Sequence, residues 1–142
     1  AFAVENMYPW RASSRRGMEM YVPGWDPSQE PYANMTLDLS HAAIARSEAI
    51  DLAERMGEGL RHIHLTDGTG SAKDEHLVPG RGKMNADAFL RHLAGRDFSG
   101  HIVLEINTRR CGTPEERERD LVESLEFARE HFQVAATEAP GG

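Results

Sequence analysis

Apolar and polar residues alternate with a period of two in four short stretches, residues 2–6, 35–40, 60–67 and 101–108. In the first, Phe2 and Val4 oppose Ala3 and Glu5. In the second, Met35, Leu37 and Leu39 oppose Thr36, Asp38 and Ser40. In the third, Ile63 and Leu65 oppose His62, His64 and Thr66, and in the fourth Ile102, Leu104 and Ile106 oppose Val103, Glu105 and Asn107. Successive side chains of a strand point to opposite faces. Each stretch therefore predicts a strand with one apolar face and one face bearing a carboxylate or imidazole.

Helical spacing separates these strands. Ile44, Ala45, Ala49, Leu52, Ala53 and Met56 predict a first helix within residues 43–56, with Gly57 as its stop. Phe89, Leu90 and Leu93 give a second helix over 86–94, capped by Asn85 and ended by Gly95. Thr113, Pro114 and Glu116 mark the start of a third, with Leu121, Leu125, Ala128 and Phe132 on its apolar stripe. Residues 10–32 hold Gly17, Pro23, Gly24, Pro27 and Pro31 and read as a long loop with at most short helical pieces. The stretch 133–142 has no period and is expected to be a disordered tail, leaving a domain over 1–132. Strands alternating with helices imply an α/β fold of parallel βαβ units. A doubly wound sheet and a piece of a barrel both fit that order.

Composition narrows the function classes. The 142 residues suit one domain. The net charge of −7 disfavours non-specific binding to nucleic acid. No apolar run approaches the roughly 18 residues that span a bilayer. The single cysteine, Cys111, makes no internal disulfide, which accords with a reducing, cytoplasmic setting.

The polar faces carry the chemistry. If the four strands are neighbours, Glu5, Asp38, His64 and Glu105 converge. Three carboxylates brought together out of water repel and are costly. A divalent cation (Mn²⁺, Mg²⁺, Co²⁺ or Zn²⁺) neutralises them and takes the imidazole as a further ligand. The loop after the third strand adds Asp67, an Asp-x-His pair at Asp74 and His76, and Arg81 between Gly80 and Gly82 as a contact for an anion. His41 follows Asp38 at the turn into a helix. His41, Asp74 and His76 suit either a second metal site or substrate binding.

These residues resemble a known family. The runs AVENM, MTLDLSHAAIA, LRHIHLTDG and GHIVLEIN are similar to the ligand-bearing strands of the xylose-isomerase-like superfamily, in the same order. The resemblance implies the C-terminal half of a (β/α)8 TIM barrel, four parallel strands with helices on the outer face. It implies a divalent metal held by Glu5, Asp38, His64 and Glu105, with Glu5 and Glu105 also moving the substrate proton. The expected activity is isomerisation or epimerisation of a polyhydroxy carbonyl compound, a sugar or sugar phosphate. His41, Asp67, Asp74, His76 and Arg81 would bind it. The superfamily also contains the endonuclease IV group, whose additional zinc uses a histidine matching His41 and an Asp-x-His pair matching Asp74 and His76. Barrels of this kind have eight strands and about 250 residues. Four strands point to a truncated form, completed by a missing N-terminal half or by a homodimer.

Overall fold

Glu5, Asp38 and His64 owe their proximity to the pairing of short parallel strands. The computed structural model describes residues 2–13 and 19–138. Strand β1 (Val4–Glu5) is followed by a hairpin of β2 (Trp10–Ser13) and β3 (Glu19–Val22), a 3-10 turn at Pro27–Gln29, β4 (Met35–Asp38), α1 (Leu39–Ile44), α2 (Ala49–Met56), β5 (Leu60–Leu65), α3 (Ala86–Gly95), β6 (His101–Leu104) and α4 (Pro114–Glu138). The main sheet is parallel in the order β1-β4-β5-β6. Its register sets Glu5 beside Thr36, Asp38 beside His64, and His64 beside Val103. The Glu105 amide donates to the Leu65 carbonyl at 3.0 Å, carrying the ladder one step past β6.

One apolar cluster joins this sheet to the helices, with Leu37, Ile63 and Leu65 from the strands meeting Leu52, Phe89, Leu90 and Leu93. Burying each such side chain contributes about 1.5–3 kcal/mol. The predicted alternation shows in β5, where Ile63 and Leu65 are buried while His62 and His64 are partly open, whereas every residue of β4 is buried. No helix among the described residues is long and apolar enough to cross a membrane.

Four expectations need correction. Residues 10–32 are not a plain loop, because β2 and β3 pair antiparallel and a further antiparallel bridge joins Met7 to Trp25. Trp10 and Tyr21 are 44% and 65% exposed, so these two aromatic residues write no buried alternation. The first helix begins earlier than predicted and is split. Asp38 caps α1, and Arg46 adopts a left-handed φ of 58° that separates it from α2. Asn85 does precede α3, but it sits at φ 55° and makes no side-chain cap; only its carbonyl engages the helix, accepting from the Phe89 amide at 3.0 Å. Helix α4 runs to Glu138, so the expected disordered tail is helical over 133–138; residues 139–142 lie outside the described residues.

The loop between β5 and α3 is closed around one carboxylate. Asp67 Oδ1 accepts from the amides of Gly68 (2.8 Å) and Met84 (3.0 Å), and Oδ2 from those of Gly80 (2.9 Å) and Gly82 (3.0 Å). Asp67 and Leu77 also exchange both backbone hydrogen bonds. A Cβ on Gly82 would lie 2.2 Å from Asp67 Oδ1 and 2.5 Å from the Gly68 carbonyl. The Gly82→Ala variant is therefore expected to lose about 1–3 kcal/mol of stability through overpacking. Thermal unfolding checks this, and an unchanged Tm would contradict the description of the loop.

Candidate metal centre

The centre forms where strands end and helices or loops begin. Asp38, the last residue of β4, is fully buried and uses its two oxygens differently. Oδ1 accepts the His41 amide at 2.9 Å, capping α1, and lies 2.9 Å from the Ser40 hydroxyl. Oδ2 has no hydrogen-bond partner. His64 Nδ1 is also buried and without one. It nonetheless lies 2.9 Å from Glu105 Oε2, 3.3 Å from Glu5 Oε1 and 3.5 Å from Asp38 Oδ2. Ligand atoms of Glu5, Asp38 and His64 lie within 4.8 Å of one another, as do those of Asp38, His76 and Glu105. Three carboxylates and an imidazole, two of them with buried donor atoms lacking partners, fit a divalent cation of the oxygen- and nitrogen-preferring kind.

Beside it lies a second cluster. His41 Nδ1 is 3.0 Å from the Asn6 carbonyl and 3.1 Å from Glu5 Oε1. His76 Nδ1 is 3.1 Å from the Glu105 carbonyl. Each contact to a carbonyl requires hydrogen on Nδ1, so that in a neutral imidazole of this orientation Nε2 is the nitrogen with the lone pair. Those Nε2 atoms face Asp74, at 3.6 Å for His41 and 2.9 Å for His76. The ligand atoms of His41, Asp74 and His76 lie within 4.8 Å of one another. His76 holds its place at a left-handed φ of 48°, a conformation that costs energy for a non-glycine residue and is concentrated at functional sites.

In the metal-free chain protons do part of the work of a cation. The carboxylates of Asp38 and Glu5 raise the His64 pKa to about 10, against a smaller lowering by burial. Burial lowers that of His41, but Glu5 and Asp38 outweigh it and bring it to about 9. Burial raises that of Glu5, and the two imidazoles outweigh it and bring it to about 2.

The sequence matches the family described as xylose isomerase-like TIM barrel over residues 2–131. The chain belongs to that family. Uncharacterised proteins of Mycobacterium leprae and Mycobacterium tuberculosis H37Rv are each 44% identical over 148 residues, covering 92% of this chain and 53% of theirs. The fructoselysine 3-epimerase of Escherichia coli O157:H7 is 28% identical over 78 residues, 55% of this chain and 28% of that protein. A crystal structure of a D-tagatose 3-epimerase-like protein superposes with a TM-score of 0.67 at 25% identity, covering 97% of this chain and 49% of that one. The chain thus spans about half the length of these mycobacterial relatives and of this structure, and its four parallel strands and helices correspond to half of a TIM barrel.

Of the residues singled out in this xylose isomerase-like chain, Glu5, Asp38, His64, Glu105, His41, Asp74 and His76 come together. Asp67 and Arg81 do not. Asp67 spends its carboxylate on four loop amides, and Arg81 is paired with Asp120 and Glu123 on α4. The amides of Gly80 and Gly82 do receive an anion, but it is the chain's own Asp67. Sequence reasoning missed Asn6 and Ser40. Asn6 is buried and clamps the Asp38 backbone, donating to its carbonyl at 3.1 Å and accepting its amide at 2.7 Å. The Ser40 hydroxyl also reaches Asp74 Oδ1 at 2.6 Å. Tyr8 was missed as well; its ring meets that of His41 at 5.2 Å.

Folding favours the charged form of His64, whose pKa moves from 6.5 to about 10. That contribution is complete below pH 6.5 and drains away as the pH rises towards 10. A metal ligand must be neutral imidazole. Adding Mn²⁺ to the metal-free chain near neutral pH should therefore release protons into weak buffer, with affinity increasing as the pH rises. Uptake without proton release, measured by calorimetry in buffers of different ionisation enthalpy, would contradict this.

Proposed function

We propose that this chain carries the metal-binding part of a divalent-metal-dependent sugar isomerase or epimerase active site. The observation that carries the reading is the pair of buried, unpartnered donor atoms, Asp38 Oδ2 and His64 Nδ1, with Glu5 and Glu105 within ion-pair distance of the latter. Its kinship to a fructoselysine 3-epimerase and a D-tagatose 3-epimerase-like protein supports the substrate class, polyhydroxy carbonyl compounds. Glu5, Asp38, His64 and Glu105 would hold the ion. Bound there, a divalent cation supplies Lewis acidity that polarises a carbonyl and acidifies the neighbouring C–H.

The chain's own groups would do the rest. The Glu5 carboxylate, held ionised by His41 and His64, accepts or returns a proton at one carbon of the substrate. Glu105, with its side chain 47% exposed at the end of β6, reaches substrate from the other end of the sheet and serves as the partner acid or base. His41, Asp74 and His76 orient substrate hydroxyls.

With metal bound, incubation with candidate ketoses in deuterated water is expected to place deuterium beside the carbonyl. The Glu105→Gln variant should slow that exchange by about 10²–10⁴-fold, the usual scale of a general acid–base group. Metal-loaded protein that leaves every ketose undeuterated defeats the reading.

The cluster of His41, Asp74 and His76 favours a second reading, a multi-zinc phosphoesterase. The net charge of −7 weighs against a nucleic-acid substrate. Metal counting separates the two: one tightly held ion per chain supports the isomerase, and two or three support the phosphoesterase.

A further inference from the structure

Beyond the ligand atoms of Glu105, a cleft of about 460 Å³ opens between the β5–α3 loop and the segment that follows β6. Its lining includes Asp74, His76, Glu105, Asn107, Thr108 and Arg109. The acidic members are already engaged: Glu105 faces His64, and Asp74 faces Ser40, His41 and His76. The Arg109 guanidinium has no hydrogen-bond or ion-pair partner among the described residues, although it shares the cleft with two carboxylates. Arg55, Arg81 and Arg91, by contrast, are each paired with at least one carboxylate. The Asn107 side chain shapes the turn, its Oδ1 accepting the Arg109 amide at 3.1 Å and leaving its NH2 group free to donate.

We propose that Arg109, with the Asn107 amide and the Thr108 hydroxyl, binds an anionic group, phosphate or carboxylate, on the far end of the substrate. This rests on the isomerase reading for the near end. An anionic group entering this cleft is repelled by Asp74 and Glu105, and Arg109, which neither of them pairs, supplies a positive charge to offset them. Arg109 follows Glu105 by four residues, which keeps this cation on the same short segment as the proposed metal ligand. A planar guanidinium receives two oxygens of such a group in parallel. Arg109 is then a specificity residue: it distinguishes charged from neutral sugars and does not act on the reacting carbons.

The test uses calorimetric binding of three probes to the Mn²⁺-loaded chain: a ketohexose 6-phosphate, the same ketohexose without phosphate, and a ketohexuronate. The proposal expects at least one anionic probe to bind on the order of tenfold tighter than the neutral sugar, as for a charge-assisted hydrogen bond. Which anion gains more names the source. Arg109→Gln should abolish that advantage while leaving metal content and neutral-sugar affinity unchanged; Arg109→Lys should restore part of it. Equal binding of charged and neutral sugars, an advantage that survives in Arg109→Gln, or no binding of any probe overturns the proposal. Failure to retain Mn²⁺ overturns the isomerase reading instead. Arg109 is then judged by whether inorganic phosphate binds the metal-free chain and is lost in Arg109→Gln, with no binding counting against it.

Discussion

The confinement of like charges at one rim of a small parallel sheet governs this structure. Asp38 is fully buried, and Glu5, Glu105 and Asp74 sit around it. Carboxylates so placed destabilise the fold unless something positive is shared among them. The two neighbouring imidazoles supply positive charge, since Glu5 and Asp38 raise the pKa values of His41 and His64 to about 9 and about 10. The solution is incomplete, because Asp38 Oδ2 and His64 Nδ1 still lack hydrogen-bond partners. The proposed divalent cation would offset the repulsion and take both atoms as ligands, and it would then compete with protons for His64.

Much of the remaining architecture serves to hold that rim. Register alone sets Asp38 beside His64. Asn6 locks the β1 end to the β4 end, and the Asp38 cap ties the same point to α1. Asp67 gathers four amides and closes the loop that presents Asp74 and His76. The loop thus folds about an anion of its own.

The legible part of the fold was the part governed by strong periodicity. Ile63 and Leu65 against His62 and His64 define a two-sided strand, and this alternation puts His64 on the polar face, where the register sets it beside Asp38. What the sequence left hidden came from backbone hydrogen bonding and from exposed structure. In the β2–β3 hairpin Trp10 and Tyr21 are exposed and leave no buried alternation to read. The break at Arg46 depends on a left-handed residue that propensity does not favour. Asp67 and Arg81 were assigned to substrate because residue type reveals a charge but not its partner, and both proved to have partners within the chain. Asn6, an ordinary polar residue after Glu5, acquires its role only when β1 and β4 pair.

The most direct measurement is the anomalous scattering of Mn²⁺ in a crystal of the chain. The account predicts one strong peak bonded by Glu5, Asp38, His64 and Glu105, at the distances usual for oxygen and nitrogen ligands. A map without such a peak, or with manganese bound elsewhere while these four side chains lie apart, would contradict it.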